Sequence, residues 1–163
     1  MGIFQDWSAN KNNTKGRLVM VLFRLAVVIK RTKLLLVFFF LYLGFYRFFV
    51  EWVLGIEITW NVRIGANFKL YHGQGTVVHP DTFIGNNCTI RQNTTIGTKS
   101  NSGAPVIGNN VDIGANVCII GNIKIGDNVS IGAGSVVVKT VEPNCTVVGN
   151  PARIIKQSDL PLI

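Results

Sequence analysis

The chain is short of acid, of histidine and of cysteine, and each shortage excludes something. It carries eight Asp and Glu against sixteen Lys and Arg, with two histidines and three cysteines. Two histidines cannot supply a three-imidazole zinc centre. Cys88, Cys118 and Cys145 are an odd number without CxxC spacing, which suits neither a disulfide framework nor a thiolate metal cluster. No metal is expected, and a reducing, cytoplasmic compartment is. The acid shortage is local, because residues 1–56 hold eight Lys and Arg against Asp6 and Glu51 alone. Those bases flank very apolar stretches, a pattern that fits an anionic membrane surface, here the inner face of the plasma membrane, and argues against nucleic acid as partner. No apolar run reaches the roughly 18 residues of a membrane span. Residues 18–29 follow bases as a leader core would, but no small-residue cleavage site succeeds them and Lys30, Arg31 and Lys33 come next, so secretion is not expected.

Residues 1–16 are polar, with two Asn-rich patches, and read as a frayed terminus. From 18 to 29 and from 34 to 46 the chain is apolar around a whole helix circumference, so helices there need burial in protein or lipid. Thirteen apolar residues followed by Arg47 and Glu51 suit a core helix, or one lying in the membrane interface, better than a spanning helix. Arg47 and Glu51 stand four apart and would pair on one helix face. Residues 1–56 are therefore read as an apolar, basic helical segment that caps the fold, joins subunits or meets the membrane.

From Ile58 onward an aliphatic residue recurs every six positions, at 58, 64 and 70, then 78, 84, 90 and 96, then 107, 113, 119, 125, 131 and 137. Gly often stands one place after it, and Asn three places after, at 61, 67, 87, 93, 110, 116, 122 and 128. Gly and Asn are the residues that enter the left-handed region most cheaply. Four places after the aliphatic the residues are small or apolar, implying a second inward row. A six-residue period matches no helix face, whereas a short strand ending in a tight corner repeats this way, three hexapeptides closing one triangular coil. The expected fold is an all-β solenoid, a left-handed parallel β-helix over residues 57–142, preceded by the helical segment and followed by a tail, 143–163. The period breaks twice, with two extra residues between Leu70 and Val78 and five between Ile96 and Ile107. Insertions in a solenoid loop out on one face, often the working one.

His72 lies beside the first insertion, where its ring should be exposed. Counted on an 18-residue coil, position 57 stacks beneath position 75, which brings Glu57 near His72 from one coil below. A carboxylate near an imidazole fixes its tautomer and stabilises the imidazolium formed when the base takes a proton. Arg91 and Gln92, about one coil above His72, are candidate donors to an oxyanion. Tyr71 offers an aromatic face beside the base, and Trp60 either lies at the same edge or packs on the helical segment.

Ile-Gly-Ala-Asn at 113–116, Ile-Gly-Ala-Gly-Ser-Val-Val at 131–137 and Gly-Asn-Pro-Ala-Arg-Ile at 149–154 resemble the closing coils and tail of the serine acetyltransferase branch of the hexapeptide-repeat acyltransferases. The likeness runs over residues 50–156. Glu57 falls where serine acetyltransferases carry the Asp of their catalytic dyad, and His72 where they carry its His. The acid here is one methylene longer, as in colanic-acid-type polysaccharide acetyltransferases, which the chain resembles still more. Tyr71 and Ala104 stand where serine acetyltransferases place an Asp and a His that hold serine. The resemblance thus implies an acetyl-CoA-dependent O-acetyltransferase that works as a homotrimer, with donor sites between subunits, no metal, and a sugar or lipid-linked saccharide as acceptor. Serine acetylation and a non-catalytic structural β-helix are the rivals. On the same resemblance Ala115 and Ala133 would line the pantetheine groove. Thr98, Lys99, Lys139 and Arg153 would meet the rest of coenzyme A, the cations facing its phosphates.

Overall fold

A computed structural model describes residues 2–99 and 103–157. Both inward rows predicted by the period are buried. Every aliphatic from Ile58 to Val137 is at most 3 % exposed, and the second row, including Phe68, Thr82, Cys88, Thr94 and Ser135, is buried with it. The first coil holds β1 Ile56–Ile58, β2 Arg63–Ile64 and β3 Lys69–Tyr71. The second holds β4 Thr76–Val78, β5 Phe83–Ile84 and β6 Thr89–Arg91, and the third β7 Thr95–Gly97, β8 Val106–Ile107 and β9 Asp112–Ile113. The fourth holds β10 Cys118–Ile120, β11 Lys124–Ile125 and β12 Ser130–Ile131, followed by β13 Val136–Val137, β14 Cys145–Gly149 and β15 Ala152–Gln157. Stacked in parallel, these make three faces. Face A is β1-β4-β7-β10-β13, face B is β2-β5-β8-β11, and face C is β3-β6-β9-β12-β14, to which β15 adds antiparallel.

The two insertions lengthen individual coils without breaking the ladders. Ile58 pairs with Val78, twenty residues on, and Thr95 with Cys118, twenty-three on, whereas Val77 pairs with Thr95, eighteen on. The extra residues fall at the two edges of face A, the first where face C turns into A and the second where A turns into B.

Asparagine shapes the corners as its αL tolerance predicts. Six of the eight Asn at the third place after the aliphatic have φ between 55° and 58°. The exceptions, Asn61 and Asn122, both lie at the A–B edge. At the B–C edge Asn67, Asn87, Asn110, Asn128 and Asn144 form a ladder, each side-chain amide donating to the Oδ1 of the next at 2.8–3.0 Å.

The amino-terminal segment is the lid of this solenoid, which corrects the expectation of a frayed terminus. A solenoid's first coil leaves three strand edges unpaired, each a row of backbone groups that must find partners. For β3, Asp6 Oδ1 accepts from Phe68 N at 2.9 Å, and Asn10 donates to Phe68 O at 2.8 Å while accepting from Leu70 N at 3.2 Å. Asn13 caps the helix that follows and donates to Leu70 O at 2.6 Å. For β2, Arg24 donates to Ile64 O and Gly65 O and forms a fully buried pair with Asp6 at 2.7 Å. For β1, the Tyr46 hydroxyl donates to Ile58 O.

Arg24 belongs to α1, Thr14–Arg31, whose Val19, Met20, Phe23 and Val27 close the open end of the core. After Thr32 the chain enters α2, Lys33–Tyr46, kinked at Phe39, and runs on through a π-helical stretch, Arg47–Val53. Leu43, Tyr46 and Val50 turn inward, while Leu34, Phe38, Leu41, Phe45, Phe48 and Trp52 are 50–80 % exposed. The sequence divides this segment at Arg47; the structure joins it into one apolar helix of 21 residues, long enough by length and composition to cross a membrane. Arg47 and Glu51 pair at 3.1 Å as their spacing predicts.

Candidate active site

His72 sits at the C–A edge, in the turn that the first insertion lengthens. Its φ is +62°, followed by +70° at Gly73 and +69° at Gly75. His enters this region more readily than most side chains, but Gly73 has no substitute, since a Cβ there would meet Leu70 Cγ at 2.9 Å. Gly73 N donates to Tyr71 O at 2.7 Å, and Thr76 N to Gly73 O at 3.1 Å, so the turn is held by its own backbone. The imidazole is exposed. Tyr71 packs edge-on against it at 4.9 Å between ring centroids, and Lys69 Nζ lies 4.6 Å from the Tyr71 ring.

Strand register decides what stands above the histidine. Tyr71 pairs with Arg91, so Gln92 follows at the level of the His72 turn, and His72, Gln74, Gln92 and Asn93 line one shallow cavity. Gln92 Oε1 is buried there without a hydrogen-bond partner among the described residues, an acceptor free to meet a bound group. In the sequence Asn93 signals only a corner, and Gln74 carries no signal beyond standing one 18-residue coil before Gln92.

The same edge continues upward as a column of corners. Asn93 N donates to Gln74 O at 2.8 Å, Asn116 N to Gln92 O at 3.0 Å and Gly134 N to Ala115 O at 2.8 Å. Gln74, Gln92, Ala115 and Ala133 therefore stand one above another. The polar, histidine-bearing end gives way to small residues, a strip against which an extended chain can lie.

Other sequence candidates fall elsewhere. Glu57 pairs with Val77 rather than residue 75, because the first coil has twenty residues where eighteen were counted. It points outward from face A and lines a cavity with Arg47, Glu51 and His79; no hydrogen bond joins it to His72 among the described residues. Arg91 donates to Asp112 at 2.5 Å and to Ile113 O at 3.1 Å, which engages its guanidinium one coil higher. Trp60 packs edge-on against Tyr46 at 6.0 Å. Burial first, and then the charge of Glu51, pushes the Tyr46 phenol far above its ordinary range. Thr98 lines a cavity with His79, Asp81 and Gly103 at the A–B edge, and Lys99 beside it is exposed. Lys139, also at the A–B edge, shares a cavity with Arg153 near the closing end.

Comparison with known proteins agrees with this architecture. Residues 104–139 match the family described as bacterial transferase hexapeptide (six repeats). An Escherichia coli K12 protein named for colanic acid biosynthesis, the acetyltransferase WcaB, is 45 % identical over 111 residues, which cover 67 % of this chain and 68 % of that one. The serine acetyltransferase of Synechococcus elongatus is 45 % identical over 107 residues, 64 % of this chain and 44 % of its own length. Among solved structures, serine acetyltransferase from Brucella abortus in complex with coenzyme A superposes with a TM-score of 0.81 at 28 % identity, covering 96 % of this chain and 67 % of that one. With a strip of small residues rising from an exposed histidine on a parallel β-solenoid, and with these relatives, the chain is an acetyltransferase belonging to the hexapeptide-repeat acyltransferase family.

Proposed function

We propose that the chain transfers the acetyl group of acetyl-CoA to a sugar hydroxyl of a surface polysaccharide or of its lipid-linked precursor, working as a homotrimer at the inner face of the plasma membrane. The observation that carries this reading is the position of His72, exposed in a self-held turn beneath an unpartnered Gln92 oxygen and at the foot of the Ala115–Ala133 strip. In this reading His72 takes the proton of the acceptor hydroxyl. The oxygen attacks the thioester carbonyl, the tetrahedral intermediate collapses with cleavage of the C–S bond, and the same imidazolium returns its proton to the departing thiolate. Gln92 Oε1 accepts from a second hydroxyl of the acceptor and orients it. Glu57 acts on the imidazolium through its charge.

Donor-binding candidates lie on two edges of the prism. Ala115 and Ala133 are on the C–A edge, Thr98, Lys99 and Lys139 on the A–B edge. A three-fold assembly that seats one subunit's C–A edge against its neighbour's A–B edge joins them into one groove, with Arg153 at its end. This supports the trimer.

For the acceptor, Tyr71 and Ala104 stand where serine acetyltransferases hold serine, so an amino acid would lose water from its charges without compensation. Tyr71 gives instead an aromatic surface for the C–H side of a sugar ring. Serine remains the second reading, favoured by the likeness to serine acetyltransferase structures. Thiol release from acetyl-CoA, measured with de-O-acetylated oligosaccharides from the host's surface polysaccharide and in parallel with L-serine, decides between them. Turnover is expected with the oligosaccharides. A kcat/KM for L-serine above about 10⁴ M⁻¹s⁻¹, within the ordinary enzyme range, together with no turnover on saccharide, overturns the reading.

A further inference from the structure

A second recess, two adjoining cavities that share Arg47, Glu51 and Glu57 as a polar mouth over a more apolar interior, lies across face A from the His72 turn, between the π-helical stretch Arg47–Val53 and the outward side of the first coils. Arg47, Glu51, Trp52 and Glu57 line its mouth, and the recess continues past Thr59 to His79. Two of its polar groups are unsatisfied. The Glu51 side chain is 91 % buried by its 9 % exposure, and only one of its oxygens is used, accepting from Arg47 at 3.1 Å. The other, Oε1, is buried without a hydrogen-bond partner among the described residues, and so is Thr59 Oγ1. A buried acceptor left unpaired is costly, and two beside one recess mark a place where hydroxyl groups are to be supplied. The last torsion of Glu is broad and nearly two-fold, so a small rotation exchanges its oxygens between Arg47 and the recess. π-helical stretches are rare and recur at functional sites; this one presents Arg47, Glu51 and Trp52 together.

We infer that this recess is a second acceptor subsite, holding a neutral, hydroxyl-rich sugar ring next to the one being acetylated. The inference rests on the saccharide reading above. Hydroxyls donate to Glu51 Oε1 and engage Thr59, while the exposed Trp52 indole offers an apolar ring face, the combination by which a pyranose is held. Arg47 offsets one of the two carboxylates, so an acidic sugar gains little. Val77, which lines the recess, is five residues beyond His72, at most about 18 Å of chain. One oligosaccharide can therefore reach both sites.

The test uses the full-length enzyme with two acceptors, size-fractionated de-O-acetylated oligosaccharides of the host polysaccharide and methyl glycosides of its constituent sugars. Glu51→Gln and Thr59→Val each keep side-chain shape. Each is expected to raise KM for the oligosaccharide about tenfold, the effect of one hydrogen bond lost from a binding site, while kcat/KM for the methyl glycosides stays within about twofold of wild type. Equal losses on both acceptors, or none on either, overturn the subsite. Calorimetry of oligosaccharide binding to His72→Ala, alone and combined with Glu51→Gln, gives a readout independent of turnover. If wild type acetylates no saccharide, the acceptor reading falls by itself. If the two calorimetric affinities are equal, the subsite falls by itself.

Discussion

At the scale of single residues, the proposed mechanism asks two unlike things of His72 and Gln92. A general base contributes typically about 10²–10⁴-fold, so His72→Ala is expected to lower kcat/KM by that factor while circular dichroism stays unchanged; His72 is exposed and its turn is held by backbone bonds. Glu57→Gln, which removes a charge but no proton acceptor, is expected to cost less, and an equal loss would make Glu57 a partner in proton transfer. Gln92→Leu separates binding from folding. Its Oε1 is unpartnered, so removing it spares a buried acceptor that costs about 1–3 kcal/mol, and the thermal midpoint should hold or rise while KM for the acceptor increases. A fall in the midpoint without a change in KM would mark Gln92 as structural. The exposed position of His72 was legible in the sequence because the period breaks beside it. The place of Glu51 was not, since it depends on a helix folding back over face A, and helical spacing alone shows only the pairing with Arg47.

At the scale of elements, the solenoid is written in its period and its lid is not. The aliphatic row, the second row and the αL corners all follow from spacing, because each coil repeats one local solution. Asn10 and Arg24 act on backbone 58 and 40 residues away, and a polar segment that caps a distant strand edge has no local signature. The structure makes that lid testable. Arg24→Met leaves Asp6 buried without its partner cation and frees Ile64 O and Gly65 O, so a loss of about 3–5 kcal/mol is expected, read as a fall in denaturant midpoint. At the B–C edge, Asn110 holds φ +57° in the middle of the ladder. Asn110→Ala pays for the left-handed conformation, about 1–2 kcal/mol, as well as for the ladder bonds, whereas Asn110→Gly loses the bonds alone. The Gly variant should therefore unfold at the higher temperature. The reverse order would mean that backbone conformation does not set these corners.

At the scale of the whole molecule, the helix 33–53 carries the proposal that the enzyme works at a membrane. Its inward side is fixed to protein, since Tyr46 and Val50 are fully buried, the Tyr46 hydroxyl reaches Ile58 O and the Tyr42 hydroxyl reaches Leu22 O. Residues 42–50 are thus held against protein, while most of the apolar 21-residue helix lies open. Its outward side is a stripe, Leu34, Phe38, Leu41, Phe45, Phe48 and Trp52, spaced alternately four and three apart, with exposed Lys30 and Lys33 at one end. Such a stripe beside bases suits a helix lying in the interface of an anionic membrane, and the same spacing could seat helices of neighbouring subunits. The double variant Phe38→Glu with Leu41→Glu puts two charges at the centre of the stripe. If the stripe meets lipid, the variant stops co-sedimenting with vesicles containing phosphatidylglycerol. The proposed trimer is then unchanged by analytical ultracentrifugation and turnover on soluble oligosaccharides is kept, while turnover on a vesicle-borne, lipid-linked acceptor falls, because the site is no longer held where that acceptor is concentrated. A variant that loses the trimer while still binding vesicles would assign the stripe to subunit contact and leave the membrane to another surface.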